Sequence, residues 1–239
     1  MSWVYYDPRR MVVRRKKKYA LKFNGRNVRI SGSFYLKQYA RDLDSSTWII
    51  GFRWFDMNDF KWSYGYHTMK VAGIDHHDMS IFVGSDILNY QVGFRFQYNQ
   101  YFRFKSLNNG EYILFGFSAR YLNETSIEYV AVVNDNVYSG THTSGYLNQN
   151  RIYRTYHVGY PNIWRGHWFN GYVYFFIVYN RFMNANEIKR VLKNPLNPIR
   201  DGLVLWLVFE EGKGDKVYDL SGNGYHGTIY GDYEWVRLP

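Results

Sequence analysis

Seven apolar residues in a row, Leu203-Val-Leu-Trp-Leu-Val-Phe209, restrict what this chain can fold into. A run of that length and composition reads as a buried strand. After Glu210-Glu-Gly-Lys-Gly214, the stretch from Asp219 to Gly231 places Gly222, Gly224, Gly227 and Gly231 among Ser, Asn and Asp. Backbone of that composition repeatedly needs positive φ or a tight turn. The Thr228-Ile-Tyr230 segment inside it is a short strand. Strand, glycine-punctuated turn, strand is the local pattern of a β-sandwich.

The remainder of the chain repeats that pattern. Leu21 and Phe23, then Val28 and Ile30, alternate around Asn24-Gly25, which predicts a hairpin of two strands joined by a tight turn. Thr47 to Phe55 is a strong strand, and residues 56–110 read as short aromatic strands broken by Gly65, Gly73, Gly84, Gly93 and Gly110. Ile127 to Val133 is a strand with a turn at Asn134-Asp-Asn136, and Phe169 to Arg181 is a long one. One helix is expected, over 184–193. Asn184 is its N-cap, Glu187 completes a capping box, and Ile188, Val191 and Leu192 form its apolar face. Pro195 and Pro198 end it and lead into the apolar run. Aromatic residues make up 21% of the 239, enough to fill the core of one large all-β unit.

Several segments resemble the laminin-G-like domains of the concanavalin A-like lectin/glucanase superfamily. The stretch from Leu205-Trp206 through Phe209-Glu-Glu-Gly-Lys-Gly214 and Asp219-Leu-Ser-Gly-Asn-Gly-Tyr-His-Gly-Thr228 is similar to that family's opening strands. Ala20-Leu-Lys-Phe-Asn-Gly25 and Phe169-Asn-Gly-Tyr through Tyr179-Asn-Arg181 resemble two more of its blocks. The likeness covers about 19–55 and 127–236. It implies a two-sheet antiparallel jelly-roll β-sandwich in which the family's first strands stand at residues 202–236. Residues 19–239 are then expected to be a single sandwich closed by 202–236. The alternative is that these strands complete a neighbour's sandwich, giving a homo-oligomer. Many relatives bind calcium through loop oxygens, which here would come from Glu211, Asp219 and Asn223. Against that, Asn24 replaces the family's Asp, and Tyr174 and Phe175 replace its acidic pair. No cofactor is therefore expected, and Asp219 is read as a brace for the turn at Ser221-Gly222-Asn223.

Composition excludes other classes. Without cysteine there are no disulfides, thiolate zinc sites or cysteine nucleophiles. No run of eighteen apolar residues marks a membrane span, and Met1 to Lys18 turns basic too soon for a hydrophobic signal segment. Arg9, Arg10, Arg14, Arg15, Lys16, Lys17 and Lys18 oppose only Asp7, so residues 1–18 carry more than half of the net charge of +10. They read either as a basic arm contacting nucleic acid, anionic lipid or an acidic partner, chiefly through Arg14 to Lys18, or as a lysine-guarded edge strand.

Catalysis is not expected. Glucanases of this fold space carboxylates along one strand face, and the nearest approach here, Glu124 and Glu128, lacks the intermediate acid. Asp75-His-His-Asp78 has metal-type side chains, but adjacent histidines on a strand point to opposite faces. It reads as a polar loop, and no metal site is expected. Two aromatic clusters remain, one with Trp54, Trp62, Tyr64 and Tyr66, the other Trp164-Arg-Gly-His-Trp168 in a loop before a strand. Ligand-binding candidates are accordingly Trp164, Arg165, His167, Trp168, Trp62 and Tyr64, because exposed rings beside Arg and His suit sugar faces. The expectation is a non-catalytic lectin-like module binding glycan or protein at an extracellular or virion surface. The alternative is a structural protein of a virus particle.

Overall fold

The computed structural model describes residues 19–38, 45–55, 67–74, 79–85, 90–96, 100–143, 151–160 and 166–238. Its strands are β1 (Tyr19–Asn24), β2 (Arg29–Gln38), β3 (Ser45–Trp54), β4 (His67–Ile74), β5 (Met79–Ser85), β6 (Tyr90–Phe96), β7 (Gln100–Ser106), β8 (Tyr112–Asn123) and β9 (Ser126–Val133). They continue as β10 (Asn136–Thr143), β11 (Arg151–Val158), β12 (Gly166–His167), β13 (Asn170–Tyr179), β14 (Leu203–Val208), β15 (Lys216–Val217), β16 (Gly227–Tyr230) and β17 (Glu234–Arg237). Among the described residues there is one helix, α1 (Ala185–Lys193), between β13 and β14.

Two sheets form an all-β sandwich. The first runs β10-β9-β8-β3-β13-β1-β17, with β14 also paired to β13. The second runs β15-β16-β2-β11-β4-β5-β6-β7. Among the described residues all pairings are antiparallel except that of β12, which lies parallel to β4. The apolar run at 203–209 becomes β14 beside the second half of β13, and its first half takes β1. From the same region β16 joins β2 and β17 joins β1, so residues 203–237 contribute to both sheets.

Burial explains the sequence pattern. Strand β3 is buried on both faces from Ser46 to Phe52 because both faces of the first sheet are covered. Inward, Trp48 meets Phe94 of the second sheet with ring centroids 6.1 Å apart, and Phe94 stacks on Phe117 at 4.1 Å. Outward, Ile49, Phe175 and Ile177 pack against Ile188, Val191 and Leu192 of α1. Asn184 caps that helix, accepting from Glu187 N–H at 3.1 Å while the Glu187 carboxylate accepts from Asn184 N–H at 3.0 Å. In the second sheet, β4, β5 and β6 are likewise buried over 70–73, 80–83 and 92–95, whereas β2 alternates. Along β2, Ile30, Phe34 and Leu36 are buried, whereas Arg29, Ser31, Ser33 and Tyr35 face outward.

Three expectations are corrected. β1 and β2 are strands, but they pair not with each other but in different sheets: the chain crosses the sandwich at Asn24 to Val28, so Phe23 and Val28 both enter the core. Gly73, Gly84 and Gly93 lie inside strands and do not break them. At Gly93 a Cβ would sit 2.3 Å from the Phe102 carbonyl oxygen, so the strand needs glycine there for space. Trp54 is fully buried and belongs to the core, not to an exposed aromatic cluster.

Candidate functional site

The outer face of the second sheet gathers polar and aromatic side chains where β2, β11 and β16 lie side by side. Register sets the arrangement. Ser31 of β2 is opposite His157 of β11 and Thr228 of β16, and Thr228 is opposite Lys216 of β15. Two residues along, Arg29 is opposite Tyr230. Because Val28, Ile30, Val158 and Ile229 fill the core, their neighbours in sequence must point to solvent.

Tyr160 completes this corner. Gly159 sits at φ +76°, where a Cβ would meet the Phe23 ring at 2.3 Å, and its N–H donates to the Val71 carbonyl at 2.8 Å. That turn ends β11 and swings the Tyr160 ring back over the sheet, 5.1 Å from His157. Trp168 approaches the same ring edge-on at 5.9 Å. The Arg29 guanidinium lies 5.4 Å from the Tyr160 ring centre and 4.9 Å from that of Tyr230. Each such contact contributes about 0.5–1 kcal/mol at an exposed site. Beside them, Ser31 Oγ and His157 Nδ1 share a hydrogen bond of 3.1 Å. Tyr230 is 45% exposed and the others are half-buried, so rings and polar edges are both presented outward.

Of the residues singled out in the sequence, the structure brings Trp168 into this corner. His167 lies in β12, its backbone paired to Met69, so the segment expected as a loop is partly strand. Trp164, Arg165, Trp62, Tyr64, Arg14, Arg15, Lys16, Lys17, Lys18 and the 75–78 segment lie outside the described residues. Arg29, His157, Tyr160 and Tyr230 are what the sequence reading missed. Their signal was the outward phase of Arg29 between buried Val28 and Ile30.

The glycine-rich turn is a structural site. Asp219 Oδ1 accepts from the backbone N–H of Trp206 (3.0 Å) and Ser221 (2.9 Å), and Oδ2 from Ser221 Oγ (2.7 Å) and Tyr225 N–H (3.0 Å). Asn223 Nδ2 donates to the Val204 carbonyl at 2.8 Å. With both oxygens engaged by donors, Asp219 anchors the turn to β14 and offers little to a cation. Among the described residues, no group of three His, Cys, Asp or Glu side chains is arranged to hold a metal ion. Glu211 Oε1 accepts from Tyr218 N–H at 2.9 Å, while Oε2 is buried without a partner. Burial pushes this carboxyl up to about 6, against the pull of backbone donors.

No protein-family model matches the chain, and no curated protein matches its sequence. Solved structures are similar in part. Full-length tailspike protein 2 from Escherichia coli O157:H7 bacteriophage CAB120 is 10% identical at a TM-score of 0.43, over 73% of this chain and 25% of that one. The botulinum neurotoxin serotype C1 binding domain is 10% identical at a TM-score of 0.38, over 76% of this chain and 48% of that one. Scytalido-glutamic peptidase is 8% identical at a TM-score of 0.28, over 92% of this chain and 98% of that one. The chain thus spans about a quarter of the tailspike and about half of the toxin domain, and likeness at this level carries no argument about activity.

Proposed function

We propose that this chain is a non-catalytic, lectin-like recognition module that binds glycan at the corner formed by β2, β11 and β16, displayed at a cell or particle surface. The observation that supports it is Arg29 fixed between the rings of Tyr160 and Tyr230, beside the hydroxyls of Ser31 and Thr228. A pyranose has an apolar C–H face and a rim of hydroxyls. The face stacks on a tyrosine or tryptophan ring, and the rim takes donors and acceptors from Arg, Ser, Thr and His. Side chains already held by each other and by strand register lose little freedom on binding. Residues 19–239 serve in this reading as one concanavalin A-like sandwich closed by 202–236, in keeping with the laminin-G-like pattern of the sequence.

Hydrolysis would need two carboxylates flanking a sugar bond, roughly 5–10 Å apart. The corner presents hydroxyls, rings and cations instead.

Binding of the full chain to a glycan array tests this. Tyr230→Ala and Trp168→Ala should each weaken binding about fivefold or more, since a lost ring contact is about 1 kcal/mol or more. Their melting temperatures should stay near that of the parent. An array without signal, or binding indifferent to both changes, would overturn the reading.

A further inference from the structure

The corner is uneven in charge. Its two cross-strand rows hold Lys216, Thr228, Ser31 and His157 in one and Tyr230 and Arg29 in the other, without an acidic residue in either. Among the described residues no carboxylate lies within ion-pair distance of Arg29 or Lys216. The two acids nearest in sequence to β15 and β16 stand outside the rows: Asp232 accepts from Asn27 Nδ2 at 2.8 Å, and Asp215 precedes β15. Cations elsewhere on the surface do have partners, as with Arg120 and Glu128 at 2.6 Å or Arg181 and Glu187 at 2.8 Å.

The guanidinium carbon lies over both rings, and among the described residues no side-chain oxygen accepts from its N–H groups. Those groups form a rigid fork that matches the two oxygens of a carboxylate. A neutral sugar takes only hydrogen bonds from a guanidinium and leaves its charge without a counterpart. A site for an acidic sugar gains a charge-assisted pair with little ordering cost. The net charge of +10 favours approach of an anionic ligand from a distance.

From this geometry we infer that the ligand is a carboxylate-bearing saccharide, its acid group bound by Arg29 and its ring stacked on Tyr230 or Tyr160. This rests on the glycan-binding reading above and adds the chemical class of the sugar. The hydrogen-bonded Ser31 and His157 pair flanks Arg29 and faces the same ligand.

The test is a glycan array carrying neutral glycans, uronate-bearing and sialylated glycans, and the methyl esters of the acidic ones. The full-length chain is probed beside Arg29→Gln, Arg29→Lys and a variant with Arg14, Arg15, Lys16, Lys17 and Lys18 changed to Ser. Acidic glycans should bind, and both methyl esterification and Arg29→Gln should weaken them about tenfold or more. Arg29→Lys should recover only part, because it restores charge without the fork, and the Ser variant should bind as the parent does. Thermal melts of the Arg29 variants separate lost recognition from lost folding. Neutral glycans that depend on Tyr230 but not on Arg29 would overturn this inference and leave the glycan reading standing. Acidic glycans lost in the Ser variant and kept by Arg29→Gln would overturn it too, and an array without signal would overturn both.

Discussion

At residue scale, the chemistry of this surface comes from side chains whose surroundings differ from water. Glu211 is the clearest among the acids. Burial raises its carboxyl to about 6, so the folded chain holds a proton there that the unfolded chain releases near the ordinary value of 4.5. Between those values the unfolded state binds fewer protons, and stability falls as pH rises through the window. The contribution is complete below pH 4.5 and is lost above about 6, amounting to about 2 kcal/mol. Glu211→Gln should therefore be more stable than the parent at pH 7 and nearly equal to it at pH 4.5. Urea titrations at the two values check this; a parallel shift at both would exclude the carboxyl as the cause. Trp168 was legible in the sequence as a ring in a segment ahead of a strand. Arg29, Tyr160 and Tyr230 were not, because their proximity is produced by strands far apart in the chain. Local alternation shows which way a side chain points and says nothing about what stands beside it.

At the scale of elements, the helix was readable and the first turn was not, for one reason. A capping box is a contact between residues three apart, so Asn184 and Glu187 announce α1 without help from the rest of the fold. Alternation around Asn24-Gly25 fits a hairpin and a crossing between sheets equally well, since both bury Phe23 and Val28. The choice is made by β13 and β17 on one side and by β11 and β16 on the other. The strand glycines misled similarly. Gly93 reads as a break, yet it is the point where β6 lets the Phe102 carbonyl and the Phe82 ring come close. Gly93→Ala should cost about 1–3 kcal/mol by forcing that backbone apart. Chemical denaturation measures it, and a loss under about 0.5 kcal/mol would show that β6 and β7 yield freely.

At the scale of the whole molecule, the closing strands are the test of the proposed single sandwich. β14 lies against the second half of β13, β16 against β2, and β17 against β1. Removing residues 202–239 would bare three strand edges and uncover Leu205 and Leu207 partners in the core. The truncated chain should lose its cooperative melt and associate, as light scattering and calorimetry would show beside the full-length chain. A truncated monomer that still melts cooperatively would mean that those residues are an appendage. That the chain is a sandwich was written in its glycine turns and apolar strands. Which strand neighbours which was not, because antiparallel strands of similar composition compete for the same edges until register and twist decide.

The pairing of β1 with β17 also imposes a schedule on synthesis. Tyr19 to Lys22 must wait for Glu234 to Arg237, more than 200 residues later. At about 5–20 residues per second, that is on the order of ten to forty seconds at the ribosome. Through that interval Ala20 and Leu21 have no permanent neighbour on that flank, and a nascent chain so exposed is a natural client for holding chaperones.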